Sequence, residues 1–250
     1  MSDLPPGIRV LPLAGSVRVR IAREVHSEHA RADDERREWE RRCVENPALF
    51  DGPILSVVSI DEAAAEVLAR RETYRRLVVQ PRVPTGVRLL AVTGLFIAHD
   101  DDQHPHILFG KRAASTRIYP GMWEVGPSGG VGVPPATIDT LLPEHLTAHL
   151  ADEAAEEVGL DLAHAVPVAV LRDDLARSDD IVLRADLGRL ADVAPRTTCA
   201  SWEYTSVRWI ARRDIPAFLH AEGDRVIPPT RALLEHLDFL AGAADPPAGH

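Results

Sequence analysis

His149-Leu-Ala-Asp-Glu-Ala-Ala-Glu-Glu-Val-Gly-Leu160 reads as the end of an amphipathic helix closed by a glycine. Glu153, Glu156 and Glu157 stand at i, i+3 and i+4, positions that share one face of an α-helix. Like charges so placed repel by about 0.2–0.5 kcal/mol per exposed pair, so helix stability alone does not select them. A hard divalent cation removes the conflict, because Mg2+ takes oxygen ligands. Pro143 suits a first helical turn and Gly159 a left-handed stop, which predicts a helix over 143–158. Upstream, Gly126-Pro-Ser-Gly-Gly130 reads as a turn able to bring backbone groups close to the same point.

Strand signals surround this helix. Residues 88–98 form a buried apolar run, and residues 106–112 are its expected hairpin partner. A short strand is expected at 122–125, and further strands at 165–172, 180–185 and 203–210. Helices are expected at 214–220 and 229–241, the second with Leu233, Leu234, Leu237 and Leu240 on one face. Strands alternating irregularly with a few helices predict a mixed sheet between helices.

The first 85 residues carry the alternation Val17-Arg-Val-Arg-Ile21, a charged helix over 27–45 and an apolar strand after the Asp51-Gly-Pro53 turn. Residues 60–72, with Asp61 as N-cap, are expected to be helical, and a strand is expected to start at Thr73. No flexible linker separates this part from residues 86–250, so it is expected to pack on them.

Length and composition suit a globular protein with one large domain or a domain and a lobe: 250 residues, 45% hydrophobic and 26% charged. The net charge of −10 argues against nucleic acid or an anionic membrane as the main partner. Cys43 and Cys199 form no CxxC pair and fit reduced thiols, and the first residues lack a signal-peptide pattern, so a cytoplasmic protein is expected. Trp123, Trp202 and Trp209 are expected in the core.

The run Glu153-Ala-Ala-Glu-Glu-Val-Gly-Leu160 resembles the core of the Nudix box, whose pattern is Gx5Ex7REUxEExGU with U apolar. Glu144 matches the first Glu of that pattern, and Trp123-Glu-Val-Gly-Pro-Ser-Gly-Gly130 resembles the strand and Gly-Gly segment before it. The resemblance covers about residues 86–240. Two departures stand out: thirteen residues rather than five separate Gly130 from Glu144, and Asp152 replaces the Arg of the box.

The resemblance implies a Nudix-like α/β/α sandwich with a mixed sheet over 86–250, extended by an α+β segment over 1–85. It implies a hydrolase that uses Mg2+, or Mn2+, to cleave a nucleoside diphosphate linked to another group. Metal ligands would be Glu153, Glu156, Glu157 and the Gly129 carbonyl, with Glu144 further out. Glu153 and Glu157 would carry catalysis, Glu153 as a ligand or as the base for water. Members often add a later carboxylate; Glu203 is the first candidate, then Asp179 and Asp180. Lys111, Arg112 and Arg117 are candidate phosphate contacts, and Tyr119 could stack on a base. The segment Asn46–Leu55 and the enlarged loop are similar to a UDP-sugar-hydrolysing branch. Asp152 and the insertion also suit a non-catalytic nucleotide-binding module. A homodimer is compatible with either reading.

Overall fold

The computed structural model describes residues 6–13, 16–22, 31–47 and 49–240. The elements in chain order are β1 (Ile8–Pro12), β2 (Arg18–Ala22), α1 (Ala32–Glu45), β3 (Pro53–Asp61), β4 (Glu66–Thr73), α2 (Tyr74–Val78), β5 (Leu89–His99) and β6 (Pro105–Arg112). After these come β7 (Trp123–Val125), β8 (Ser128–Gly130), β9 (Thr140–Leu141), α3 (Pro143–Glu153), β10 (Val166–Asp173), β11 (Ser178–Arg189), α4 (Leu190–Val193), β12 (Tyr204–Ala211), α5 (Ile215–Glu222) and α6 (Pro228–His236).

All twelve described strands join one mixed sheet. Its main path runs β1-β10-β11-β5-β3-β4-β2-β9, and β5 and β11 at its centre are parallel. Such a strand is covered on both faces, which is why β5 is an almost continuous apolar run. Leu90, Val92, Phe96 and Ala98 face a core that includes Leu146, Leu150 and Ala154 of the α3 region. Leu95 and Ile97 face a second core with Ile215 and Leu219 of α5 and Leu233 and Leu234 of α6. Helices therefore cover both faces of a mixed sheet, as the strand and helix pattern predicts.

One edge of β5 is paired with β11. The other is shared in succession by β3 at Leu89, β8 at Ala91–Thr93 and β6 at Ile97–His99. The Gly126–Gly130 segment is accordingly not a free turn. After a cis Gly126–Pro127 bond it enters β8, where Gly129 pairs with Val92. Gly94 of β5 lies where a Cβ would come within 2.7 Å of the Phe96 ring and 3.2 Å of Leu150, so its small size lets α3 close onto the sheet.

The early segment is hydrogen-bonded into this sheet: β1 pairs with β10, β2 with β9, and β3 with β5. Two sequence expectations fail here. Residues 66–73 form strand β4, not a helix; Val67 and Ala69 alternate into the core, and pairing with β3 and β2 on both sides outweighs local propensity. The Asp61 carboxylate instead accepts the Ala64 N–H at 3.0 Å and fixes the preceding turn. Tyr74–Val78 is a helix rather than a strand, because Asp51 and the Gly52 carbonyl accept the N–H groups of Arg75 and Tyr74 at its start.

The charged helix runs over Ala32–Glu45, and its expected first residues through Ala30 lie outside the described residues; the last helix, expected over 229–241, spans Pro228–His236 and stops at Leu237, and Ala241 lies outside the described residues. Cys43 and Cys199 are unpaired. Trp123 is buried and Trp209 packs partly against the core, but Trp202 is 65% exposed, contrary to expectation. No helix among the described residues is long and apolar enough to cross a membrane.

Candidate active site

α3 starts at Pro143, where the His145 ring accepts the Leu142 N–H at 3.0 Å. It runs regularly to Glu153 and then widens into one π-helical turn over Ala154–Val158. Gly159 closes it with φ +69°, the left-handed stop expected of it. The wide turn redistributes the three glutamates. A π turn carries more residues than an α turn and often marks functional sites. Glu157 is turned inward and is 3% exposed, Glu153 is half-buried, and Glu156 faces outward. The single face expected for all three is thus split, with Glu156 carried further round the helix.

The carboxylate of Glu153 lies directly against Gly129. A Cβ built on that glycine would fall 1.9 Å from Glu153 Oε1, a contact no side chain can make. Glu157 Oε2 accepts the Ser128 N–H at 3.2 Å, so β8 holds both side chains. Glu203, just before β12, comes within hydrogen-bonding reach of Glu157. Three carboxylates from two parts of the chain, the α3 helix and the segment before β12, therefore meet at β8.

Their electrostatics reflect that crowding. Burial, then the charges of Glu203, Glu156 and Asp152, push the Glu153 carboxyl up to about 7. Burial, then the charge and hydrogen bond of Glu203 and the charges of Glu153 and Glu124, push Glu157 well above the usual carboxylate range. Among the described residues no Lys or Arg forms an ion pair with Glu153, Glu157 or Glu203. Hard oxygen donors without a neutralising partner suit a divalent cation such as Mg2+ or Mn2+. The carboxylates are not gathered into a cage: no group of three His, Cys, Asp or Glu side chains among the described residues has metal-binding spacing as it stands.

Behind β8 lies a cleft of about 160 Å3. Arg112, Arg117 and Tyr119 line it; Lys111 does not, its ammonium instead standing 5.8 Å over the Trp123 ring. Arg112 is engaged: it bonds Glu124 at 2.6 Å and the Ile118 carbonyl at 3.1 Å. Burial lowers its pKa, but the Glu124 charge carries it above the ordinary value. Arg117 is exposed and makes no hydrogen bond or ion pair among the described residues. Tyr119 adopts φ +53°, uncommon for a bulky residue, and donates its hydroxyl to Asp173 at 2.7 Å.

Of the alternative late carboxylates, Asp179 is fully buried and bonded to Arg88 and Arg172, whereas Asp180 lines the cleft. Glu144 is exposed on the outer side of α3, and His149 lies against Gly132 with its pKa lowered, chiefly by burial. Sequence reasoning missed Glu124. It is buried on β7 beside β6, takes the Tyr204 hydroxyl at 2.8 Å as well as Arg112, and joins the cleft to the glutamate cluster. Its only signal was an acid inside a short apolar strand, Trp123-Glu-Val125.

No family model matches the chain, and no curated protein matches it. Solved structures do. The chain is similar to a MutT protein from Methanosarcina mazei Go1 at 21% identity, covering 60% of this chain and 93% of that one, with a TM-score of 0.41. It is similar to the Nudix hydrolase RenU from M. smegmatis at 16% identity, covering 65% and 91%, with a TM-score of 0.42. A bifunctional NMN adenylyltransferase/ADP ribose pyrophosphatase from Francisella tularensis aligns at 16% identity over 64% and 43%, with a TM-score of 0.44.

Proposed function

We propose that the protein is a Nudix-type, metal-dependent pyrophosphohydrolase. Its substrate is a nucleoside diphosphate linked to another moiety. The observation that carries this is the convergence of Glu153, Glu157 and Glu203 at β8, with the Glu153 carboxylate pressed on Gly129. A glycine is needed there because any side chain would displace Glu153. A fold that gathers buried like charges without a counter-ion destabilises itself unless a cation completes the site.

Mg2+ or Mn2+, when bound, neutralises the pyrophosphate and makes an attached water more acidic. Glu153, Glu157 and Glu203 would supply its oxygens, with Glu156 and the Gly129 carbonyl as further candidates. The Ser128 N–H holds Glu157 in place, and Glu153 is the residue best placed to accept the proton of an attacking water. Arg117, free of other partners among the described residues, meets the phosphates at the cleft mouth. Water adds to one phosphorus and the bridging P–O bond breaks, releasing a nucleoside monophosphate and a phosphorylated second product. Nucleotide sugars, UDP-glucose among them, belong in the test panel because of the resemblance around Asn46–Leu55.

A second reading has its own support. Asp152 in place of the box Arg and the absence of ready metal-binding spacing among the described residues suit a module that binds nucleotide without cleaving it. A panel of nucleotide sugars, dinucleotides and nucleoside triphosphates, assayed with Mg2+ and with chelator, separates the two. Metal-dependent product supports the hydrolase; thermal stabilisation by a ligand that is never consumed supports the module.

A further inference from the structure

The cleft behind β8 holds a carboxylate that the proposed hydrolysis does not use. Asp180 of β11 is part of its wall. One oxygen, Oδ2, accepts the Thr93 hydroxyl at 3.1 Å. The other, Oδ1, is enclosed by protein and meets no donor. Neighbouring Asp173, by contrast, is fully served by the Tyr119 hydroxyl and the N–H groups of Leu175 and Ala176. A buried acceptor left without a donor is costly, and a ligand N–H removes that cost. The torsion that swings a carboxylate is broad, so Oδ1 can turn to a donor entering the cleft. Burial raises this carboxyl to about 6 even though the Ser178 and Thr93 hydroxyls act to lower it.

The remaining wall carries both apolar and cationic groups. Leu89 and Ile118, both half-buried, offer apolar surface, while the exposed Arg117 stands at the rim for a phosphate. Gly129 borders the same cleft, so a nucleotide seated here has its phosphates beside the glutamate cluster. Resting on the pyrophosphohydrolase reading, we infer that this cleft is the base subsite and that Asp180 selects nucleobases bearing an exocyclic amino group over uracil. Adenine, guanine and cytosine each present amino hydrogens. The one ring N–H of uracil is flanked by two carbonyls, whose lone pairs would face the carboxylate.

The test is calorimetric titration of the full chain and of Asp180→Asn with AMP, GMP, CMP and UMP, which requires no turnover. At least one amino-bearing nucleotide should bind the natural chain about tenfold or more tightly than UMP, the scale set by a hydrogen-bonding site that rejects an unmatched partner. In Asp180→Asn that preference should vanish, with the melting temperature showing the fold intact. Equal or tighter binding of UMP, no binding of any of the four, or an unchanged preference in the variant would overturn the inference. The natural chain's ranking decides the matter even if the variant does not fold. Parallel assays of ADP-, GDP-, CDP- and UDP-glucose with Mg2+ keep the two readings apart. Base-selective binding without hydrolysis refutes the hydrolase and leaves the subsite standing. Hydrolysis indifferent to the base does the reverse.

Discussion

Gly129 and Glu153 are the pair on which the site depends. Gly129→Ala places a methyl where the Glu153 carboxylate now lies, and the side chain, being half-exposed, can swing away without unfolding the protein. Displacement of a catalytic group by about 1 Å can cost on the order of a hundredfold in rate. The expected result is a loss of that order in kcat with a melting temperature close to that of the parent. At Asp180 the raised pKa makes a pH prediction. The folded state holds the proton more tightly than the unfolded chain, so stability falls as pH rises from about 4 to about 6. Asp180→Asn should flatten that part of the stability profile in equilibrium denaturation; an unchanged slope would show that another group is responsible. At this scale the sequence named Glu153 and Glu157 through spacing and motif, and Glu203 only as a candidate acid before a strand. Glu124 escaped because its role depends on Arg112 and Tyr204 arriving from distant strands, which no local pattern records.

Among the elements, α3 and its π turn set the glutamate geometry, and their seating rests on Leu150. This side chain is fully buried and packs toward Gly94 of β5. Leu150→Ala should cost about 2–5 kcal/mol, as core truncations of this kind do. Chemical denaturation measures it directly. Gly159→Ala forces an L side chain into the left-handed region, where a Cβ would also come within 3.0 Å of Thr198 Oγ1. The expected cost is about 1–2 kcal/mol, with partial loss of activity as the last turn loosens. The ends of α3 were legible, since Pro143 and Gly159 are position-specific signals. The π turn was not, because nothing in Ala154–Val158 differs from an ordinary helix by propensity. Strand β4 was hidden for a related reason: the alanine run 63–65 before it and its own charged composition favour a helix until β2 and β3 pair with both its edges.

For the whole molecule, the first 85 residues and the remainder share one sheet through three separate strand pairings. A single cooperative unfolding transition is therefore expected by calorimetry; two resolved transitions would show that the early segment folds apart. The layered architecture was readable from periodicity and the helix signals. The order in which β3, β8 and β6 share one edge of β5 was not, because register follows from long-range contacts. The central proposal is that Glu153, Glu157 and Glu203 form a metal-dependent hydrolytic centre. The most direct test is product formation from nucleoside diphosphate compounds by the natural chain and by Glu157→Gln, each with Mg2+ and with chelator. Turnover is predicted for the natural chain with metal and not with chelator, with a loss of about a hundredfold or more in the variant. Equal turnover by Glu157→Gln, or turnover indifferent to chelator, would contradict that role.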